Sequence, residues 1–334
     1  MRLFGAGQVA LLHAVGFLNP AALGPIEAIL GFFPGVPIFF AVSGFLVSLS
    51  LERATSVRQY FLNRALRIFP ALWVCFVVTL VVVMAAGFRP PSVGQLLLWA
   101  GSQLTIAQYY NPDWLRGFGV GAVNGSLWTI PVELEFYAVL PLLAVWARTN
   151  AKRWVALAVI AGIIMMAFRA VGPAEASLTL KLLSVTVAPW LFYFLAGVLL
   201  RYAHAAFPRM FRGNALRFAL VYVIWMGVQQ YLGIQGATGN YLNIVSIVLL
   251  SALVISVAFT NHTLSSRVLG TTDISYGLYI YHMPFVNLFL EKGVVGAGAV
   301  VGVLAIAAGL ASLSWIFIER PALSLKHYTL KRRT

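Results

Sequence analysis

Three ionisable residues, His13, Glu133 and His282, interrupt stretches that are otherwise apolar: residues 3–18, 124–147 and 274–290. If each stretch crosses a bilayer as a helix rising 1.5 Å per residue, the three lie roughly 15, 13 and 12 Å deep. That is near the middle of a hydrocarbon core about 30 Å thick. Ionisable groups at such depth are costly and usually functional. The chain has only five histidines and nine acids, so three of the fourteen at one level point to a shared polar cavity. The matching chemistry is proton transfer near neutral pH, with histidine as general base toward a hydroxyl. A carboxylate would orient the ring and stabilise its cationic form.

Each residue also has a structural reading. His13 can pack between helices and bond a neighbouring carbonyl, and Glu133 can be a neutral interhelical tie. His282, followed by Met283 and Pro284, can cap the carbonyl that the proline frees. Glu135 lies about 200° around a helix from Glu133, so the two do not form a paired-carboxylate site. No i, i+3 or i, i+4 ligand pair accompanies the three residues, which argues against a metal. The sequence contains neither a G-x-S-x-G elbow nor a recognisable Cys–His pairing, so a covalent acyl-enzyme is not indicated. Direct attack of an acceptor hydroxyl on a thioester fits better.

A phosphate-bearing donor needs cations. Arg64 and Arg67, three apart and close to Arg58, share a helical face and offer bidentate forks. Positive-inside anchoring and lipid headgroup contact are the alternative use. Arg2 precedes His13 by eleven residues, about three turns along roughly the same face.

The elements that must position these groups follow from composition. Of 334 residues, 61% are hydrophobic and 10% charged, and the mean hydropathy is +0.89. Soluble domains are about 45–50% apolar and about a quarter charged, so the expected fold is an all-α polytopic membrane protein. Ten spans are read at 3–18, 28–50, 68–87, 124–147, 154–171, 182–200, 216–233, 241–260, 274–290 and 298–318. Residues 94–108 are brief and amide-rich, and read as a re-entrant or interfacial segment. They fall in the longest connection, 88–123, whose prolines and glycines mark an ordered or partly re-entrant outer loop.

With both termini cytoplasmic, the inner side takes 18 of the 23 basic residues, among them Arg267 and the tail residues Arg320, Lys326, Lys331, Arg332 and Arg333. Arg89, Arg116, Arg169, Lys181 and Lys292 remain outside. The net charge of +14 is therefore a topology signal, and nucleic-acid binding is not expected. Arg2 before an apolar run imitates a signal peptide, but His13 breaks that run and no A-x-A-like site precedes Pro20. Cys75 reads as a small buried hydrophobe. No internal repeat is seen. The rival reading is a proton-coupled secondary transporter or exporter of a sugar or small metabolite, whose buried His and Glu would relay protons.

The ordered motifs resemble the membrane-bound acyltransferase 3 family of bacterial integral membrane O-acyltransferases and O-acetyltransferases. Arg2 and His13 match its basic residue–ten residues–histidine pattern, and 40–46 (FAVSGFL) looks like F-x-x-S-G-F-L. Residues 64–73 resemble R-x-x-R-I-x-P, 127–137 the L-W-S-L-x-V-E-x-x-F-Y helix, and 275–284 S-Y-x-L-Y-L-x-H-x-P; Glu319-Arg320-Pro321 matches E-x-P. The resemblance covers nearly all of 1–334 as one transmembrane domain with a basic tail, 319–334. It implies a donor such as acetyl-CoA, not a permanently bound cofactor, and transfer to a hydroxyl of a carbohydrate or glycan-like acceptor at the bacterial inner membrane, amid lipid. It implies His13 as the catalytic residue; in the leading reading Glu133 or another buried acceptor orients it, and His282 or a neighbouring hydroxyl or amide stabilises the oxyanion. Arg64 and Arg67 become donor-binding residues, as do Arg2, Ser43 and Gly44, the last two shaping an acyl tunnel. Trp128, Phe136, Tyr137, Tyr276, Tyr279 and Glu319 become structural or lining residues. Two departures stand out: the usual upstream L-D-x-L stretch is absent, as in a truncated start, and Thr129 and Pro131 replace smaller residues, which would bend that helix. The chain also reads as a stand-alone membrane unit, where many relatives add a soluble domain.

Overall fold

The computed structural model describes residues 1–171, 177–234, 236, 239–260 and 272–331. The described residues form helices joined by turns and loops, with no strand among them. The helices are α1 (Arg2–Leu18), α2 (Leu23–Leu30), α3 (Gly35–Arg53), α4 (Val57–Ala85), α5 (Val93–Leu104), α6 (Thr129–Ala147), α7 (Ala151–Ala170), α8 (Leu178–Ser184), α9 (Leu191–Ala206), α10 (Pro208–Phe211), α11 (Ala215–Tyr231), α12 (Ile244–Thr260), α13 (Ser275–Glu291), α14 (Ala297–Ser314) and α15 (Arg320–Lys331). Among the described residues, five helical stretches are long and apolar enough to cross a membrane: Gly35–Arg53, Val57–Ala85, Gly125–Ala147, Ala151–Ala170 and Ala297–Lys326. Their outer faces are greasy. On α7, Val155, Val159, Ile163 and Met166 form an exposed stripe at helical spacing, and on α4 Trp73, Val77 and Val81 do the same. Such stripes suit lipid and would aggregate in water.

Each of the ten expected spans contains a helix, with three shifts of boundary. The stretch 28–50 is broken before α3, where extended Pro34 caps the helix and disfavours helical geometry in the residue before it. The stretch 182–200 breaks between α8 and α9, around Pro189. Helix α4 begins at Val57, eleven residues before 68, because Ser56 caps it by accepting from the Gln59 amide at 3.1 Å. Helix α5 has twelve residues, about 18 Å of rise, too short to cross a bilayer core. Arg267, Arg332 and Arg333 of the expected inner segments lie outside the described residues.

The chain divides into two compact units. One comprises Met1–Gly5, Ile29–Ala54 and Val132–Thr271. Its centre is the crossing of α3 and α9, where two glycines let backbones touch. A Cβ on Gly44 would stand 1.9 Å from the Phe194 carbonyl oxygen, and one on Gly197 1.9 Å from that of Ala41. The expected close approach at Gly44 is thus met by a reciprocal glycine on the facing helix. Around the crossing, Phe136 stacks on Phe194 at 4.4 Å and meets Phe40 edge-on at 5.2 Å.

The second unit comprises Ala6–Ala28, Thr55–Pro131 and Thr272–Thr334. Gly277 of α13 lies against Ala311 of α14, where an added Cβ would come within 2.7 Å of the Ala311 Cα. Helix α1 joins them through Ala14, Val15 and Leu18 packed with Met283, Val286, Ala299, Val300 and Val303. The 88–123 connection is ordered, as expected. Leu115 and Phe118 are fully buried against Val82, Val83 and Trp99. Asn287 of α13 pins the connection, donating to the Ala122 and Val123 carbonyls at 2.9 Å each and accepting from the Val120 amide at 2.9 Å.

Candidate active site

In the second unit α1 and α13 bring two of the three buried ionisable residues into contact. His13 Nδ1 lies 2.9 Å from His282 Nε2, the ring centroids being 5.2 Å apart. His282 is wholly buried, and its Nδ1 lies 3.2 Å from the Leu278 carbonyl one turn back. A carbonyl oxygen only accepts, so the His282 Nδ1 carries a proton. In the neutral ring Nε2 then holds a lone pair and accepts from His13 Nδ1–H. The basic nitrogen of His13 is therefore Nε2. A backbone carbonyl two residues removed in the chain of bonds selects the tautomer of the half-buried histidine.

The proline after His282 shapes the same turn. Pro284 has no amide to give the carbonyl four residues back, that of Ile280. The expectation that His282 caps this carbonyl is corrected: His282 bonds Leu278, and Ile280 is served from elsewhere. Asn124 Nδ2 donates to it at 2.8 Å and the buried Cys75 thiol lies at 3.2 Å. The physical reason is direction, since a helical side chain reaches back toward its own preceding turn. Tyr279 is fixed equally well. Its hydroxyl donates to the Ser126 carbonyl at 2.9 Å and accepts from Thr129 Oγ1 at 2.9 Å, while its ring meets His282 edge-on at 6.2 Å. Trp128 ends the 3₁₀ turn Gly125–Trp128 that carries these groups. Pro131 falls in the first turn of α6, where a missing N–H costs nothing, rather than at a bend.

Glu133 belongs to the other unit. Its Oε1 accepts from Ser43 Oγ at 2.9 Å and from the Tyr137 hydroxyl at 2.5 Å, tying α6 to α3 one residue before Gly44. Glu135 accepts from the Val187 amide at 2.6 Å, so the two carboxylates do point apart. Arg2 opens α1 in this unit and is half-buried.

Arg64 and Arg67 occupy successive turns of α4, both half-buried. Arg67 meets carboxylates of its own chain: Nη2 lies 2.5 Å from Asp273 Oδ2, and Nη1 3.4 Å from Glu319 Oε2. Glu319 is buried, ends a π-helical turn, Trp315–Glu319, and also accepts from Ser314 Oγ at 3.3 Å. Asp273 accepts from the Ser275 hydroxyl at 2.5 Å, and Tyr276 donates to the Ile68 carbonyl at 3.1 Å. A guanidinium facing two carboxylates is poorly placed to take a phosphate as well, which narrows the paired Arg64/Arg67 expectation. Asp273 and Asn124 were not singled out in the sequence. The signals were there: a buried arginine needs a counter-charge, and a mid-helix proline needs a donor for the carbonyl four back.

The comparisons with known proteins agree on a family. The acyltransferase 3 model, described as an acyltransferase domain, matches residues 1–319. Nodulation protein 10 of Rhizobium leguminosarum bv. viciae is 33% identical, over 100% of this chain and 94% of its own length. The O-acetyl transferase of Shigella phage Sf6 is 24% identical, over 85% of this chain and 83% of its own. Peptidoglycan O-acetyltransferase OatA of Listeria monocytogenes is 28% identical, over 33% of this chain and 19% of its own. No solved structure matches the chain. With its apolar helices and a match over nearly its whole length, the chain belongs to the acyltransferase 3 family of membrane O-acyltransferases.

Proposed function

We propose that the protein transfers a short acyl group, acetyl first among them, from acyl-CoA to a hydroxyl of a carbohydrate acceptor, with His13 as general base. The observation that carries this reading is the His13–His282 pair, anchored on Leu278 so that His13 presents Nε2 as its lone-pair nitrogen. In the reaction, Nε2 takes the acceptor's hydroxyl proton as that oxygen attacks the thioester carbonyl. The tetrahedral intermediate collapses, the C–S bond breaks, and the proton passes to the departing thiolate. The imidazolium formed meanwhile is stabilised through Nδ1–H by the His282 lone pair. His282 thus acts as a positioning residue, a role the sequence reading gave to a carboxylate, Glu133.

The donor enters from the cytoplasm, its phosphates held by Arg64. Arg67, already engaged by Asp273 and Glu319, braces that face. Ser43 and Gly44 border the acyl path, with Glu133 and Tyr137 fixing Ser43. Ten spans of the bacterial inner membrane with both termini cytoplasmic complete the reading, supported by the alternation of basic residues along the chain. The names of two relatives, both O-acetyltransferases and one acting on peptidoglycan, support an acetyl group and a glycan acceptor.

The test is acyl transfer from acetyl-CoA by purified protein in nanodiscs. His13→Ala is expected to lower transfer by about 10²–10⁴-fold, and Arg64→Ala to weaken donor binding. Full transfer by the His13 variant would overturn the base assignment, and an unchanged donor Kd in the Arg64 variant would overturn the donor site.

A further inference from the structure

The second unit holds a recess of about 120 Å³ in the 88–123 connection and the turn that follows it. Its walls include Trp99, Tyr109, Tyr110 and Trp128, together with Asn111 and Asn124. None of its lining residues is Asp, Glu, Lys, Arg or His. We propose that this recess binds one uncharged sugar ring of the acceptor. The inference rests on the carbohydrate reading above and names where the sugar sits and what kind it is.

Three observations carry it. First, the lining combines aromatic faces with polar groups. A pyranose offers one face of C–H bonds and a rim of hydroxyls, and a wall of indole and phenol rings with polar edges matches both. Tyr109 and Tyr110 keep 47% and 36% of their surface exposed, so their ring faces remain open to a ligand. Second, the walls are preorganised. Asn111 donates to the Gly121 carbonyl at 2.8 Å and accepts from the Val123 amide at 3.2 Å, which closes the connection into a fixed ring. Gln103 donates to the Tyr110 carbonyl at 3.1 Å and so holds the backbone that presents the two tyrosines. Third, the recess is wired to the proposed base. Asn124, in its wall, bonds the Ile280 carbonyl, and Ser126, two residues on, lies 3.2 Å from the Tyr279 carbonyl; both carbonyls are on the turn of α13 that leads into His282.

The absence of ionisable lining residues sets the specificity. A uronate or phosphorylated sugar entering the recess would give up hydration of its charge with nothing to replace it. A volume well below the roughly 300–1,000 Å³ of sites for drug-sized ligands suits a single ring at a chain end. An extended oligosaccharide would need more room.

The test is binding of methyl glycosides to the full-length protein in nanodiscs, by calorimetry without donor. The probes are glucoside, galactoside and the two N-acetylhexosaminides, with methyl glucuronide as the charged comparison. Saturable binding of at least one neutral glycoside is expected, with the glucuronide at least about tenfold weaker. Tyr109→Ala/Tyr110→Ala should weaken the neutral sugar by about tenfold or more, whereas Tyr109→Phe/Tyr110→Phe should keep most of the affinity by preserving the stacking faces. In turnover the alanine pair should raise the acceptor KM and leave the donor Kd unchanged. No saturable binding by any probe, equal affinity for the glucuronide, or an unchanged Kd in the alanine pair would each overturn the proposal. Failure of the carbohydrate reading registers separately, as absence of acyl transfer to any glycan by the unaltered protein.

Discussion

Replacing His282 with leucine separates a positioning histidine from a packing one. Leucine is close in size and apolar, so it fills a wholly buried site and brings in no polar group of its own. The Leu278 carbonyl keeps its place in the helix. What disappears is the acceptor 2.9 Å from His13 Nδ1. In the resting enzyme that hydrogen bond joins two neutral rings and contributes about 0.5–1.5 kcal/mol. When His13 becomes an imidazolium its donor is charged, and the contribution rises to about 1.5–3 kcal/mol. Only the difference, about 1–1.5 kcal/mol, lowers the barrier, which is about 5- to 13-fold in rate. Loss of the selected tautomer adds to this, since His13 can then place its proton on Nε2. Removing the carboxylate that fixes a catalytic histidine's tautomer in serine proteases costs about 10⁴-fold, which is an upper bound for a neutral partner. The expected fall in kcat for His282→Leu is therefore about 10²-fold, with the donor Kd unchanged. His282→Gln, which returns a carbonyl acceptor, should recover to within about tenfold of the unaltered enzyme. The assay is thiol release from acetyl-CoA in the presence of acceptor, paired with thermal unfolding. A His282→Leu protein with its kcat intact would refute the dyad. So would equal losses in the leucine and glutamine variants tracking a fall in Tm, which would leave His282 a packing residue only.

Two further outcomes follow from packing, one in each unit. Asn124→Ala should cost about 1–3 kcal/mol of stability by removing the donor at 2.8 Å from the Ile280 carbonyl. In a Pro284→Ala background, where a backbone amide returns to that carbonyl, the same change should cost markedly less; thermal unfolding of the four proteins closes the cycle, and strict additivity would disprove the pairing. Gly44→Ala places a Cβ 1.9 Å from the Phe194 carbonyl and should force α3 and α9 apart, at a cost of about 1–3 kcal/mol or more read as a lower Tm in detergent; an unchanged Tm would mean the helices do not cross there.

Hydropathy made the helices legible and left their ends uncertain. It counts composition, so it could not see α4 continue back through the arginine-rich turns to Val57. Ser56-x-x-Gln59 and Ser92-x-x-Gln95 are capping patterns that mark the starts of α4 and α5 outright, and both caps form, at 3.1 and 3.2 Å. The breaks before α3 and α9 were written in Pro34 and Pro189 rather than in any loss of apolarity. For the site, counting residues into a span yields depth but not the direction a side chain points. Depth put His13 and His282 at one level, and the two rings touch. The same depth said nothing of Glu133's bearing, and its carboxylate turns to Ser43 and Tyr137. Arg67 was readable as a buried cation, but Asp273 is 206 residues away in sequence, and no local pattern joins them.

The proline in α13 gives these pieces a common cause. A helix that must hold His282 at a fixed angle would ordinarily keep every backbone bond, yet Pro284 removes one immediately beyond the histidine. The vacancy at Ile280 can be filled only by a donor from outside the helix, and Asn124 supplies it from the wall of the aromatic recess. The loss of one internal bond thereby becomes a tether between the segment that would seat the acceptor and the helix that positions the base. A fully bonded helix would pack as well but would leave the 124–128 turn held to this face of α13 mainly through Tyr279. The same requirement explains why the donor is an asparagine. Its amide nitrogen serves Ile280 while its carbonyl oxygen lies 2.7 Å from Ser126 Oγ, so one side chain braces both the helix and its own turn. An aspartate there would bring a charge beside a carbonyl with no proton to offer it, and a serine would not reach across the gap that the asparagine spans.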